Sequence, residues 1–338
     1  MLLTPPTAPN PRVFVPGKLP QLPLPDILNA WDSKTTARVI DRVDVGTYDP
    51  TRTASQGNAA ILTALATAAY ATPQDQAAHF KLQPGVRSFV ELDSADNARL
   101  GIPVPDYGTQ ASVINTGNTL IVAFRGTQPP WLQNLGKNDE FAWNDLVADL
   151  NTVPVQNYDG TGLVHEGFKH QADAIWDQLK PYLSSAVQSH QTIVFCGHSL
   201  GAAVALDEAD KMHHEMGLLP KTVLRLGGPT VGWGDEEKHL SRIGLGSRTI
   251  NVQDTGDPIP LLPPGGQEVG TDMYIDHHGT MNMRGGAHWV DRGITEAVDT
   301  ATGHNLMPLY RHFWQFYING VEDPRNTAAW DRVERRLG

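Results

Sequence analysis

The sequence is poor in the features that mark several protein classes. It has a single cysteine, Cys196, among 338 residues, so no disulfide can form within the chain. Its 26 lysines and arginines are outnumbered by 37 acidic residues, and they form no basic stripe that would offset nucleic-acid phosphates. We therefore expect neither a disulfide-stapled domain nor a nucleic-acid partner.

Long apolar runs are also missing. No stretch approaches the roughly 20 apolar residues that a membrane-spanning helix needs. The N-terminus lacks the basic segment and apolar run of a secretory signal peptide. We therefore expect no integral membrane segment and no signal peptide. The cytoplasm is then the default compartment, and export by another route or a leader already removed stays open.

The chain divides by composition into three parts. Residues 1–25 contain eight prolines, which favours an extended segment over regular structure. Residues after 320 are highly charged and indicate a solvated tail or a short surface helix. We predict a Pro-rich arm over residues 1–45, one large domain over residues 46–320 and a charged C-terminal tail over residues 321–338.

Strands and helices alternate through the large domain. Short apolar runs predict strands at residues 119–124, 192–196, 222–226 and 249–252. Apolar side chains from about Glu166 recur every three or four residues, as in a helix that buries one face. This order predicts an α/β fold with a mostly parallel central sheet and helices on both faces.

The pentapeptide at residues 197–201, GHSLG, is a G-x-S-x-G motif. The apolar strand 193–196 precedes it and the alanine-rich run 202–206 follows it. A sharp strand-to-helix turn raises a serine hydroxyl above the sheet edge, and small flanking residues allow the backbone to turn closely. The motif and its context predict that Ser199 is a nucleophile, whereas Cys196 is expected to be a small buried residue.

Further motifs occur in order around the pentapeptide. They are AFRGT at 123–127, WNDL at 143–146, HEGF at 165–168, GGP at 227–229 and DPIPLLP at 257–263. With these motifs the chain resembles the class 3 lipases, the fungal-lipase-like branch of the α/β-hydrolases, from about residue 119 to 310. The resemblance implies an α/β-hydrolase fold, with residues 46–320 as its single catalytic domain.

The resemblance also implies a catalytic triad in the order serine, aspartate, histidine. Asp257 is the expected acid, because it follows a predicted strand and precedes Pro258; Asp254 is the alternative. His304 is the expected base, because it lies at a loop-to-helix junction before Tyr310. The other histidines that stay open as the base are His312, His277, His278 and His288.

The remaining predictions concern the oxyanion hole and a lid. The backbone N–H groups of Thr127 and Leu200 are expected to stabilise the oxyanion, together with the Thr127 hydroxyl. Family members often carry a lid between the positions of Thr127 and Trp143. Here Trp131, Leu132 and Leu135 are expected to form its apolar underside, and a fixed surface loop is the alternative.

The sequence therefore predicts a serine ester hydrolase that needs no cofactor and acts on ester or lipid substrates, including substrates at an oil–water interface. Residues 276–288 contain three histidines, but their spacing matches no zinc motif, so we expect no metal site. A phospholipase A1 or feruloyl esterase with the same triad, and a lipid-binding scaffold without turnover, are the alternatives.

Overall fold

The computed structural model describes residues 33–127, 153–230, 232–276, 278–283, 312 and 314–337. Its helices are α1 Ser33–Ala37, α2 Gln56–Ala68, α3 Pro73–Phe80, α4 Asn97–Leu100, α5 Glu166–Gln188, α6 Leu200–Met216, α7 Glu236–Ile243, α8 Trp314–Glu322 and α9 Thr327–Leu337. Its strands are β1 Ser88–Asp93, β2 Gln110–Asn115, β3 Thr119–Phe124, β4 Pro154–Gln156, β5 Leu163–His165, β6 Thr192–His198, β7 Thr222–Leu226, β8 Gly232–Trp233, β9 Thr249–Asp254, β10 Thr271–Ile275 and β11 Met281–Asn282.

A twisted central sheet contains eight of the described strands, in the order β1-β2-β3-β6-β7-β9-β10-β11. The five strands from β3 to β10 are parallel, whereas β1, β2 and β11 pair in antiparallel fashion at the two edges. A small antiparallel sheet of β4, β5 and β8 lies apart from it. The prediction of a mostly parallel sheet is confirmed.

Alternating side chains of the central strands build a core on each face of the sheet. In β6, Val194 and Cys196 belong to the core that contains α2, α8 and α9, whereas Ile193 and Phe195 belong to the core that contains α5 and α6. Strand β3 alternates in the same way. Both faces of these strands are therefore buried, which explains their continuous apolar sequence.

The predicted domain boundaries do not coincide with breaks in the packing. Val39 and Ile40, assigned to the arm, and Trp330 and Val333, assigned to the tail, all belong to one buried cluster that also contains side chains of the central sheet. The charged segment forms α9, whose apolar residues recur at helical spacing and face the core, while most of its charged side chains are exposed. Residues 33–45 and 321–337 are thus part of the packed domain.

The long predicted helix begins at Glu166, as expected, and the hairpin turn at residues 116–117 joins β2 to β3. Among the described residues, no helix is long and apolar enough to cross a membrane.

Candidate active site

Ser199 lies in the turn between β6 and α6, at the edge where the parallel strands end. Its backbone has φ +58° and ψ −132°, a left-handed conformation that non-glycine residues rarely adopt. The Ser199 N–H donates to the carbonyl of Leu226 on the neighbouring strand at 2.9 Å. The turn is therefore fixed to the sheet, and the strained serine is held at the start of the helix.

The two glycines of the pentapeptide are required by close backbone contacts. A Cβ atom on Gly197 would lie 2.2 Å from the carbonyl oxygen of Gly201. A Cβ atom on Gly201 would lie 2.2 Å from the carbonyl oxygen of Phe124, at the end of β3. Hydrogen is thus the only side chain that fits at either position, and Gly201 brings α6 directly against the end of β3.

Asp257 follows β9 and is completely buried. One of its carboxylate oxygens, Oδ1, accepts the backbone N–H of Ile259 at 2.9 Å. The other, Oδ2, accepts the hydroxyl of Tyr317, a fully buried side chain of α8. The alternative acid, Asp254, accepts the N–H of Gly256 at 2.9 Å within the turn that leads to Asp257.

The imidazole of His312 lies between Ser199 and Asp257. Its Nε2 is 2.7 Å from Ser199 Oγ, and its Nδ1 is 2.7 Å from Asp257 Oδ2. Because a carboxylate can only accept a hydrogen bond, Nδ1 carries the proton and the unprotonated Nε2 accepts the Ser199 hydroxyl. This is the arrangement in which a serine hydroxyl can lose its proton during attack.

The geometry favours a different histidine from the one expected as the base. His304 lies outside the described residues, and the ring that contacts both Ser199 and Asp257 is that of His312, one of the alternatives. Helix α8 begins only at Trp314. His312 therefore lies just before a helix, a setting similar to the loop-to-helix junction predicted for His304. His278, another alternative, lies in a turn in which its backbone N–H donates to Asp276 Oδ1 at 2.8 Å.

A buried hydrogen-bond chain supports the histidine from behind. His198, fully buried, uses Nε2 to donate to the backbone carbonyl of His312 at 2.9 Å. Its Nδ1 accepts the hydroxyl of Tyr70, 2.9 Å away. Burial, with a smaller effect from His312, holds the pKa of His198 well below its usual value, so the ring is neutral. These contacts give His198 a structural role, and the sequence offered no sign of Tyr70.

Thr127 and Leu200 lie at the same edge of neighbouring strands. Phe124 of β3 pairs with Gly197 of β6. Thr127 comes three positions after Phe124, and Leu200 comes three positions after Gly197. Gly126 packs against this turn, since a Cβ there would be 2.6 Å from the carbonyl oxygen of His198. The register therefore brings Thr127 and Leu200 to the same edge of the sheet. The predicted lid residues Trp131, Leu132 and Leu135 lie outside the described residues, as do His277 and His288.

Comparison with known proteins agrees with this architecture. The family model for lipase (class 3) matches residues 121–266, which include most of β3 and all of β6, α6, β7, β9 and the Asp257 loop. A phospholipase A1-II 4 of Oryza sativa subsp. japonica is 29% identical over 191 residues, 50% of this chain and 46% of that protein. Lipase A of Sodiomyces alcalophilus is 27% identical over 205 residues, 48% of this chain and 45% of that protein. The chain thus spans about half the length of these curated relatives.

A solved structure of a fungal lipase–inhibitor complex has a TM-score of 0.51 and 21% identity with this chain, covering 65% of this chain and 80% of the other. At this identity the likeness concerns the fold, and the central sheet with its flanking helices is the α/β-hydrolase fold. The matched region contains the pentapeptide turn and the acid loop, and over residues 121–266 the chain is similar to the class 3 lipases.

Proposed function

We propose that this protein is a serine carboxylic ester hydrolase that cleaves acyl esters through Ser199, His312 and Asp257. The observation that carries the proposal is the continuous hydrogen-bond chain from Asp257 through His312 to Ser199, with 2.7 Å on each side of the imidazole. Such a chain combines a nucleophile, a base and a group that orients the base, which is the set that acyl transfer requires.

The reaction begins when Ser199 Oγ attacks the carbonyl carbon of the ester and its proton passes to His312 Nε2. Asp257 keeps the proton of the imidazole on Nδ1 and stabilises the imidazolium that forms. The oxyanion of the tetrahedral intermediate accepts hydrogen bonds from the N–H groups of Leu200 and Thr127 and from the Thr127 hydroxyl. The α6 N-terminus adds a favourable dipole at this point.

The intermediate then collapses. The bond to the alcohol oxygen breaks, His312 Nε2 gives its proton to that oxygen, and an acyl-Ser199 ester remains. Water attacks this ester while His312 takes one of its protons, the carboxylic acid leaves, and Ser199 regains its proton from His312. All groups in this sequence come from the chain and the two reactants.

The relatives support a lipid ester as the substrate. They are named as phospholipases A1 and as a lipase, so phospholipids and acylglycerols are the two substrate classes to compare. The apolar positions predicted at Trp131, Leu132 and Leu135 would suit a substrate at an oil–water interface. A feruloyl esterase would use the same triad on an aromatic ester.

The first experiment compares Ser199→Ala with the matched control Ser247→Ala, an exposed serine whose hydroxyl donates to the carbonyl of Gly244. On p-nitrophenyl butyrate we expect kcat to fall at least about 10⁴-fold in the first variant and to stay unchanged in the second. A fluorophosphonate probe should add to Ser199 of the parent protein. Full activity in Ser199→Ala would contradict the proposal, and failure of both labelling and turnover would favour the non-catalytic scaffold.

The second experiment identifies the substrate class. Rates on p-nitrophenyl esters from C2 to C18, on emulsified triacylglycerol, on phosphatidylcholine vesicles and on methyl ferulate should differ by orders of magnitude. Preference for phosphatidylcholine with release of the sn-1 acid would favour a phospholipase A1. A rise in rate on emulsified triacylglycerol above the solubility limit would favour a lipase that acts at an interface.

A further inference from the structure

A buried arginine lies in the middle of the central sheet. Arg225 interrupts the apolar strand β7, and its side chain is only 1% exposed. Arginine is almost never fully buried unless its donors are paired, because desolvating the charge is costly. The contacts of this side chain therefore indicate why it is kept there.

The guanidinium of Arg225 donates to four groups. Nε donates to the backbone carbonyl of Ala202 at 3.1 Å, and Nη2 donates to the backbone carbonyl of Pro229. Nη1 donates to Asn251 Oδ1 at 2.8 Å and to Glu268 Oε2 at 2.7 Å. The planar fork of an arginine can satisfy acceptors in these several directions at once, which a lysine ammonium on its flexible stem cannot do in the same geometry.

These acceptors belong to the elements that carry the catalytic groups. Ala202 lies in the first turn of α6, two residues after Leu200 and three after Ser199. Asn251 lies on β9, the strand that leads to Asp257. Arg225 therefore joins the segment of the nucleophile to the strand of the acid through one rigid side chain.

Arg225 also binds the loop that follows β7, through the carbonyl of Pro229. Pro229 ends the Gly-Gly-Pro segment, and Gly228 in it is packed so tightly that a Cβ would lie 2.7 Å from the Cβ of Ala202. A Cβ on Gly227 would lie 2.8 Å from Asp257 Oδ2. The loop that Arg225 holds is thus in contact with the nucleophile helix on one side and with the catalytic carboxylate on the other.

The charge of Arg225 is balanced within the same network. Glu268 forms an ion pair with it, and burial raises the pKa of this glutamate to about 7 against the attraction of the guanidinium. Burial also raises the pKa of Asp207 in α6, and the positive charge of Arg225 opposes this rise. The arginine therefore stabilises acidic groups as well as backbone carbonyls, and a test has to separate these two effects.

We propose that Arg225 is a positioning residue for the reaction: by binding the carbonyls of Ala202 and Pro229 and the side chain of Asn251, it holds Ser199 and Leu200 in register with Asp257. The proposal rests on the proposed function. Misplacement of reacting groups by about 1 Å costs on the order of 100-fold in rate. A loss of this register should therefore lower kcat more than it changes KM.

The test is Arg225→Lys, which keeps the positive charge beside Glu268 but loses the fork. Its matched control is Arg248→Lys, since Arg248 also donates to a backbone carbonyl, that of Pro220 at 3.3 Å, before the start of β7. On p-nitrophenyl butyrate we expect kcat of Arg225→Lys to fall about 10- to 100-fold, with KM within twofold, in a protein that is still folded at the assay temperature. Arg248→Lys should keep both constants. A kcat within twofold of the parent for a folded Arg225→Lys would overturn the proposal, as would an equal loss in Arg248→Lys.

A second variant covers the case in which Arg225→Lys does not fold. Arg225→Met combined with Glu268→Met removes both charges and keeps the side-chain volume, a replacement that cores often tolerate. We expect this double variant to fold and to show the same loss of kcat, and a parent-like kcat would contradict the proposal. Failure of the proposed function itself has a different signature, because Ser199→Ala would then retain the activity of the parent protein.

Discussion

The imidazole rings of His198 and His312 are stacked, with centroids 4.8 Å apart and planes inclined by 30°. His198 also donates to the backbone carbonyl of His312. The residue that immediately precedes Ser199 therefore contacts both the ring and the backbone of His312, the proposed base. Because His312 is separated from Ser199 by a long stretch of chain, this contact is a direct means of keeping the two in register.

The first prediction concerns this contact. His198→Ala should lower kcat about 10-fold, because the His312 backbone loses its donor and its stacking partner, a net contribution of about 1–2 kcal/mol. His198→Gln can place an amide donor near Nε2 and should recover part of this loss. The measurement is steady-state hydrolysis of a p-nitrophenyl ester, with His214→Ala, a partly exposed histidine paired with Asp159, as the control. Parent-like kcat in His198→Ala would contradict the supporting role.

The second prediction concerns the close approach at the turn. Gly197→Ala should lower the free energy of unfolding by about 1–3 kcal/mol and reduce activity, because its methyl group would overlap the carbonyl of Gly201. Gly57→Ala is the control, since nothing lies within 4 Å of a Cβ at that position near the start of α2. Urea unfolding should show that Gly57→Ala is neutral or stabilising by up to about 1 kcal/mol. Equal stability of the two variants would show that the turn has room for a methyl group.

The third prediction concerns the pH dependence of stability. Glu208 of α6 is 0% exposed, and burial raises its pKa well above its usual value of 4.5. A carboxyl whose folded-state pKa is raised stabilises the fold below the unfolded-state pKa, and this contribution is lost as the pH rises through the folded-state value. Stability should therefore fall as the pH rises from about 4.5, by up to about 1.4 kcal/mol per pH unit for this single group.

Glu208→Gln removes the titration, so its thermal midpoint should fall less than that of the parent between pH 5 and pH 8 and should be the higher of the two at pH 8. Glu237→Gln, at a partly exposed residue of α7, should follow the parent curve. Parallel curves for the parent and Glu208→Gln would show that Glu208 does not contribute to the alkaline loss.

The site was predictable from the sequence where its geometry is local. Ser199 is defined by a strand, a turn and a helix that are contiguous in the chain, and Asp257 by a strand end and a proline. Both sit where this local pattern puts them, although their catalytic roles remain proposals. The base is different, because its position depends on how a long connection returns to the sheet, and neither periodicity nor turn chemistry encodes that path. The sequence therefore favoured His304 and left several other histidines open, whereas the contacts with Ser199 and Asp257 single out His312.

Two further features are visible in the residue pattern of the sequence but not in its composition. The charged C-terminal segment was expected to be solvated, yet Trp330 and Val333 recur at helical spacing and are fully buried. Arg225 is a single charge within an apolar strand, a pattern that indicates a buried polar network without naming its members. Its acceptors, from Ala202 to Glu268, come from four separate segments, so only the fold could identify them.

The central claim is that His312 is the base for Ser199. The most direct measurement compares His312→Ala with His304→Ala, using both p-nitrophenyl butyrate turnover and the rate at which a fluorophosphonate labels Ser199. We expect His312→Ala to lose at least about 10³-fold in both rates and His304→Ala to stay within threefold of the parent protein, because removal of one triad member disables the nucleophile. Retained labelling and turnover in His312→Ala, with loss of both in His304→Ala, would contradict this account.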